Sequence, residues 1–250
     1  MLVFPVFHFL STDFVASIIP PWIPWHLFWT YFTAVNIFAA GLCIVFKKYA
    51  RLTATLLGVE IFLFWALIHL FLLFHRAGDR WAESAMFGEM PGRWINSFKD
   101  FGLSGAAFLF AGTQSQTWRR TGKDRVFDLG RVILCISIAG FGVLHFVYPA
   151  FAPGIPPMQK NVLFPFPGQL FWVYLTGAYF VASATAIAAN DRVRTIAALF
   201  AFVALAFELL IRVPIFIATP IAMTGDFLKD VGVIGGALIL AECTKDTQPT

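Results

Sequence analysis

Long apolar segments recur along the whole 250-residue chain and restrict what it can fold into. A bilayer core about 30 Å thick is crossed by about 20 apolar residues in a helix. Lipid offers no hydrogen-bond partners to the backbone, so such segments fold as helices. We therefore expect an all-α integral membrane protein with eight transmembrane helices. The segments lie at 2–19, 27–46, 52–75, 94–114, 127–148, 169–189, 194–216 and 226–243.

Composition narrows the classes of function that the chain can have. Hydrophobic residues make up 59% of the sequence and charged residues only 13%, against about 25% charged residues in soluble domains. The basic residues are dispersed and no aromatic stripe accompanies them, so we expect no nucleic-acid partner. The N-terminal stretch MLVFPVFHFLSTDFV has no basic n-region and no small-residue cleavage site. We expect it to be a retained first helix rather than a signal peptide.

Sequence motifs for metals and cofactors are absent. The three cysteines form no CxxC pair, so we expect neither a dithiol redox motif nor a zinc site. There is no Walker loop, no Ser-His-Asp elbow and no Gly-rich dinucleotide fingerprint. His8, His69 and His145 have no HxxxH or comparable spacing, so a haem would need ligands from different helices. Haem and metal ligation are therefore not expected.

An internal repeat organises the chain into two halves. The stretch FWTYFTA at 28–34 matches FWVYLTG at 171–177, an offset of 143 residues. Later in each half, KDFGLSGAAFLFA at 99–111 matches KDVGVIGGALILA at 229–241. A proline-rich segment precedes each FW motif, and in that register Asp13 stands opposite His145.

The repeat predicts two tandem four-helix units within one integral membrane domain. Residues 1–118 would form the first unit, 126–244 the second, and 119–125 a cytoplasmic linker. Because each unit has an even number of helices, the two copies would have the same orientation, as in a parallel repeat.

Lysines and arginines are unequally distributed between the two ends of the predicted helices. With the N-terminus inside, the cytoplasmic connections hold Lys47, Lys48, Arg51, Arg119, Arg120, Lys123, Arg125, Arg131, Arg192 and Arg194. The opposite side holds Arg76, Arg80, Arg93, Lys99, Lys160, Arg212 and Lys229. Cytoplasmic loops carry the excess of basic residues. We therefore expect both termini to be cytoplasmic, in a bacterial or archaeal cytoplasmic membrane, with the Pro-rich loops outside.

Ionisable side chains inside a membrane are costly and are candidates for function. Four of them lie toward the outer ends of their predicted helices: Asp13, His69, His145 and Arg212. The Lys-Asp pairs at 99–100 and 229–230 begin helices four and eight on the same side. The sequence therefore predicts a polar layer beneath the outer loops in both halves.

The repeated Lys-Asp pair has two interpretations. Asp100 and Asp230 are expected in the first turn of their helices, where free N–H groups and the helix dipole stabilise a carboxylate. Lys99 and Lys229 would reach outward or neutralise a carboxylate on a neighbouring helix. The pair would then be a helix-start device that was duplicated with its unit. Alternatively, it would hold an anionic or quinone-like head group.

Helices three and seven carry further polar residues. Glu208 and Arg212 are spaced i,i+4, as in an intrahelical ion pair, and the repeat places Trp65 and His69 at the corresponding positions. Glu60 precedes His69 by nine residues, about 180° around a regular helix. The two side chains therefore cannot share one pocket unless the helix distorts. Glu60 has no partner nearby in sequence and is the residue that we most expect to be protonated or functional.

The second half also carries short motifs in a fixed order. The stretch GFGVLHFVYPAFAPGIPPMQKNVLFPFPGQLFWVYLTGAYFVASATAIA contains H-F-x-x-P, then I-P-P, then W-x-Y-x-T-G. This pattern resembles the DoxX/DoxD-like group of four-helix membrane proteins. The resemblance covers the second half well and reaches the first half only through the repeat, where the motifs have decayed to DFVAS and FTA. The motif positions are His145, Pro149, Trp172, Tyr174 and Thr176, together with Lys229 and Asp230.

The resemblance implies a membrane subunit attached to redox chemistry, as in components of thiosulfate:quinone oxidoreductases. A bound quinone is then the expected cofactor. His145, Glu60 and His69 would be the catalytic residues that handle protons. The residues that would bind the substrate or quinone are Asp13, Lys99, Asp100, Tyr174, Glu208, Arg212, Lys229 and Asp230.

Two other functions fit the same sequence. The first is a non-catalytic accessory subunit of a larger respiratory or other electron-transfer complex, embedded in the lipid bilayer and bound to protein partners. The long outer segment 76–97, mixed in charge, would then be a docking surface or a lid. The second is a small-molecule transporter, because transporters are often duplicated bundles with polar residues inside.

Overall fold

The computed structural model describes residues 2–74, 90–151, 167–218 and 220–244, and all regular elements in these ranges are helices. We number them α1 to α10 in chain order. The short helices are α1 (Phe4–Leu10), α2 (Thr12–Ile18) and α6 (Gln116–Thr121). The long helices are α3 (His26–Val45), α4 (Ala50–Phe64, continuing to Phe74), α5 (Met90–Thr113), α7 (Arg125–Val147), α8 (Gln169–Ala188), α9 (Val193–Phe207, continuing to Ala218) and α10 (Pro220–Cys243).

Helices α4 and α9 each contain one widened turn. A π turn covers Trp65–His69 in α4 and Glu208–Arg212 in α9, and the α-helix then resumes at Leu70–Phe74 and at Val213–Ala218. A π turn closes i→i+5 hydrogen bonds and so accommodates one extra residue. The residues beyond it are rotated about the helix axis by about 100° relative to an uninterrupted α-helix.

The expectation of an all-helical membrane protein is confirmed for the described part of the chain. Five helices are long and apolar enough to cross a bilayer: His26–Val45, Ala50–Phe74, Arg125–Val147, Gln169–Ala188 and Val193–Arg212. Helices α5 and α10 have 24 residues each, but both contain charged side chains and are not among the five. We call the end of the bundle where α4 and α7 end, and where α5 and α8 begin, its upper end.

The segment expected to be the first span, 2–19, is divided into two helices of seven residues each. Ser11 between them has φ −126° and ψ 42°, which is outside the helical region. Seven helical residues rise only about 10 Å, whereas a bilayer core is about 30 Å thick. Both short helices pack on α3, so this segment covers one side of the bundle as two pieces.

Helix α5 lies at the centre of the bundle, in contact with α4, α7 and α10. Its close packing on α7 requires glycine. A Cβ atom added to Gly130 would lie 2.5 Å from the backbone nitrogen of Leu109 and 2.7 Å from the carbonyl oxygen of Gly105. Small residues let helix backbones approach closely in lipid. The backbone of α5 is therefore fixed between its neighbours, and so are the charged residues that it carries.

Asp124 joins α4 to the start of α7 at the lower end of the bundle. Its Oδ1 accepts a hydrogen bond from the N–H of Val126 at 2.9 Å, and its Oδ2 lies 3.0 Å from Nη1 of Arg51. Burial disfavours the charged carboxylate, but hydrogen bonds from Ser115, Val126 and Arg51 outweigh it and hold the pKa of Asp124 below its usual value.

We expect Asp124→Ala to lower the free energy of unfolding by about 1–2 kcal/mol, because the helix loses its cap and Arg51 its partner. The pKa is depressed in the folded state, so this stabilisation is complete above the unfolded value of about 3.9 and is lost as the pH falls below it. The melting temperatures of the wild type and Asp124→Ala, measured in detergent, should therefore converge below about pH 4. A difference that persists unchanged in acid would contradict this role.

Candidate functional site

Eight ionisable side chains meet in the upper half of the bundle, and we call them the buried charged cluster. All except Lys229 are buried. They come from four helices and are His69 of α4, Lys99 and Asp100 of α5, Glu208 and Arg212 of α9, and Asp226, Lys229 and Asp230 of α10.

The two Lys-Asp pairs bind each other across the interface between α5 and α10. Nζ of Lys99 lies 3.1 Å from the carboxylate of Asp230. Nζ of Lys229 lies 2.8 Å from Oδ1 of Asp100. Each lysine therefore neutralises the aspartate of the other helix, and the two pairs form a reciprocal connection between the halves of the chain.

The prediction that Asp100 and Asp230 lie in the first turn of their helices is wrong. Helices α5 and α10 begin at residues 90 and 220, so each aspartate lies ten residues inside its helix. The effect of the helix dipole falls off within the first turn. The two carboxylates are therefore stabilised by ion pairs with the neighbouring helix and not by helix termini.

Each aspartate has a second basic partner from the preceding helix. Oδ2 of Asp100 is bound by Nε2 of His69, and Oδ2 of Asp230 lies 3.0 Å from Nη2 of Arg212. His69 and Arg212 are the last residues of the two π turns. The widened turns thus position the basic groups that contact the aspartates of α5 and α10.

Lys99 is the most enclosed cation of the cluster, with 0% of the residue exposed. Its Nζ also lies 3.3 Å from Oδ1 and 3.4 Å from the carbonyl oxygen of Asp226. Asp226 was not identified from the sequence. Its i,i+4 spacing from Asp230 is the signal that could have revealed it, because residues at that spacing share one face of a helix.

Glu208 has fewer contacts than the other acids of the cluster. Its Oε1 lies 3.9 Å from Nε of Arg212, so the predicted intrahelical pair is present, but the guanidinium is closer to Asp230. Glu208 is 1% exposed, and neither carboxylate oxygen accepts a hydrogen bond from the described residues. It also faces the carboxyl group of Asp230.

A cavity of about 770 Å³ adjoins the cluster, enclosed by α1 to α4 with parts of α5 and α10. Its walls are mainly apolar and include Phe4, Phe14, Ile37, Leu57, Leu63 and Phe64. Near its upper end it reaches His69, Asp100 and Lys229. Lower on the wall lie Asn36 and Glu60, and the Oε1 atom of Glu60 is buried.

Glu60 and His69 both line this cavity, although their spacing predicts opposite faces of a regular helix. The π turn lies between them and ends at His69. Its extra residue turns the later part of α4 by about 100°. The π turn is therefore the helix distortion that allows Glu60 and His69 to share one pocket.

Three predicted site residues lie away from the cavity and the cluster. His145 is buried between α7 and α8, with Nδ1 2.7 Å from the carbonyl oxygen of Phe141 and its ring against Phe180. Tyr174 is 42% exposed and stacks on Phe146. Asp13 is exposed in α2.

The other resemblance motif positions lie in the same part of the bundle as His145. Thr176 is buried in α8, whereas Pro149 follows α7 and Trp172 lies on the first turns of α8. Residues 76–89 of the predicted docking or lid segment 76–97 lie outside the described residues, as do Lys160 and most of the Pro-rich segment after Pro149. Residues 90–97 form the start of α5.

The arrangement is suited to binding an elongated apolar molecule with a polar head group. Ligand sites are usually clefts of about 300–1,000 Å³ with mostly apolar walls and a few placed polar groups. Among the described residues, no three His, Cys, Asp or Glu side chains are grouped so as to hold a metal ion. No protein-family model, no curated protein and no solved structure matches this chain.

Proposed function

We propose that the chain is a membrane subunit of a quinone-linked oxidoreductase and that the cavity beside the buried charged cluster binds the quinone. One observation carries the proposal: an apolar cavity of about 770 Å³ reaches His69, Asp100 and Lys229 near its upper end. An apolar wall suits an isoprenoid tail, and buried hydrogen-bonding groups at one end suit a quinone ring.

The residues at the polar end fit a carbonyl-bearing ring. When bound, a quinone accepts two electrons and two protons, and the electrons would come from a partner protein or a small reductant. His69 and Lys229 carry N–H groups that can donate to a ring oxygen, and Asp100 orients both of them. Glu60, which lies on the same wall as Asn36, is a further group that can hold or release a proton.

We also propose that the fold is a duplicated bundle of eight spans, with units at 1–118 and 126–244 and both termini cytoplasmic. In a duplicated chain, local backbone geometry recurs at one offset wherever no residues have been inserted or deleted. The two π turns begin 143 residues apart, at Trp65 and Glu208. Residues with positive φ recur at the same offset: Trp25 and Gly168, Lys47 and Asn190, Tyr49 and Arg192. In this scheme α1 and α2 of the first unit together correspond to α7 of the second unit.

A cavity-filling variant tests the quinone site. Ala40 lines the cavity away from the charged groups. Because a phenyl ring there would take up space that the ligand needs, we expect Ala40→Phe to weaken binding of a short-tailed benzoquinone at least about tenfold, or about 1.4 kcal/mol. Binding is measured in mild detergent by quenching of tryptophan fluorescence, since Trp29 lines the same cavity.

The matched control is Ala188→Phe, at the exposed lower end of α8 and outside the cavity. It should bind the benzoquinone like the wild type. Equal binding by all three proteins would place the ligand elsewhere. A wild-type protein that binds no quinone would overturn the proposed function itself.

A further inference from the structure

In the buried charged cluster, the acidic and basic groups balance around Asp100, whereas the part around Asp230 has more acidic groups than basic ones. Around Asp100, one carboxylate faces one lysine, Lys229, and a neutral His69 can donate its Nε2–H to the same carboxylate. With His69 as the neutral imidazole, the acid and base around Asp100 balance, and this part of the cluster needs no additional proton.

The part around Asp230 has one acid too many. Three carboxyl groups lie there, from Asp226, Asp230 and Glu208, and they face two cations, Lys99 and Arg212. An isolated buried carboxylate is so costly that such a group takes up a proton instead. Two adjacent carboxyl groups that share a site also resist double ionisation.

Glu208 is the acid left over by this pairing. The charged groups that face it are Asp230 of α10, Arg212 of its own helix and Lys99 of α5. Both cations have closer contacts with aspartates, at 3.0 to 3.3 Å, than the 3.9 Å between Arg212 and Glu208. Both oxygens of Glu208 are buried and accept no hydrogen bond from the described residues.

Two other ionisable groups near the cluster, among the described residues, have contacts of their own. Arg93 lies further up α5 and donates from Nη1 to the carbonyl oxygen of Leu72 at 3.2 Å. His8 of α1 faces Lys229, and its Nδ1 lies 3.1 Å from the carbonyl oxygen of Phe4.

We propose that Glu208 and Asp230 form a buried proton-binding site that holds one proton between the two carboxyl groups. Glu208 is the acid and donates its O–H toward Asp230, whose carboxylate keeps its contacts with Lys99 and Arg212. Glu208 is the first residue of a π turn, and π turns are often found at the functional sites of helices. Ion pairs through Lys99 and Asp226 bring the same network to the wall of the cavity, where Asp226 lies. This inference does not depend on the identity of the cavity's ligand.

Infrared spectroscopy of the ligand-free protein in detergent tests the site directly. The wild type at neutral pH should show the C=O stretch of a protonated carboxyl group, and Glu208→Gln should lack that component. Asp13→Asn and Glu60→Gln are the controls. Each should retain the component that Glu208→Gln lacks, even though Glu60→Gln also removes any band of Glu60 itself. A carboxyl C=O band with the same intensity in Glu208→Gln as in the wild type would overturn the proposal.

Thermal stability gives a second readout. Because the folded protein binds a proton that the unfolded chain has released, the melting temperature of the wild type should fall as the pH rises. The scan runs from about pH 6 to about pH 9, which covers the ionisation of documented buried glutamates. Glu208→Gln should fold, since it resembles the neutral acid, and should lose this fall. An unaltered pH profile in Glu208→Gln would overturn the proposal. If the variant does not fold, a wild-type infrared spectrum without a protonated carboxyl band would overturn it.

Discussion

Replacing Lys99 with methionine should lower the free energy of unfolding by about 3–5 kcal/mol, the usual cost of removing one partner from a buried ion pair. The ammonium group of Lys99 contacts both Asp226 and Asp230 and is inaccessible to water. Without it, the carboxyl groups around Asp230 retain Arg212 as their cation. Methionine preserves the volume of the side chain, so the loss reports on charge and not on packing.

The measurement is equilibrium unfolding in detergent, with Lys48→Met as the matched control. Lys48 is exposed at the lower end of the bundle, and its replacement should change the stability by less than about 0.5 kcal/mol. If Lys99→Met were as mild as the control, the cluster would have to be neutralised in some other way. Lys99→Met could also lose an amount of stability between these two values. If adding Asp226→Asn restored that stability, the result would still support the pairing, because the double variant has lost one acid together with the cation.

Exchanging Lys229 and Asp100 should show whether the two side chains stabilise the protein through their direct contact or only through the polarity of the site. Lys229→Asp places a carboxylate beside Asp100 and should cost about 3–5 kcal/mol. Adding Asp100→Lys restores opposite charges at the 2.8 Å contact, and we expect it to recover about 2 kcal/mol, within the range of coupling energies for contacting residues.

The comparison requires both single variants and the double variant, measured under one condition. Recovery in the double variant shows that the two side chains interact directly. A double variant that is no more stable than Lys229→Asp would mean that Asp100 depends on His69 and not on Lys229. In the first outcome Lys229 pairs with Asp100 at the polar end of the cavity, and in the second outcome Lys229 does not hold Asp100.

Much of the fold could be predicted from the sequence because the relevant signals are local. Apolar length identifies helices that are able to cross a membrane, and five of the eight predicted spans coincide with long apolar helices among the described residues. The break at Ser11 in the first segment could not be predicted, since no proline or glycine marks it. The early starts of α5 and α10 were missed because the stretches before Lys99 and Lys229 are more polar than a membrane span.

The candidate site was only partly predictable, because its geometry depends on contacts between distant segments. The sequence marked both Lys-Asp pairs but could not show that each lysine reaches the other helix, 131 residues away in the case of Lys99 and Asp230. Hydrophobic patterns assume a constant helical period, so they give no sign of the π turn that brings Glu60 and His69 to one cavity. The role of Asp226 likewise depends on its contact with Lys99, which is 127 residues away in the sequence.

The cross-pairing of α5 with α10 also constrains how the protein is made. Lys99 emerges from the ribosome 127 residues before Asp226, which at 5–20 residues per second is a wait of roughly 6 to 25 s. During that interval α5 carries an ammonium and a carboxylate whose partners on α10 have not been synthesised. The helix must remain in a hydrated environment, such as the membrane insertion channel or its vestibule, until the last helix arrives. A chain truncated before α10 would leave Lys99 without the carboxylates of Asp226 and Asp230 and would leave Asp100 without Lys229.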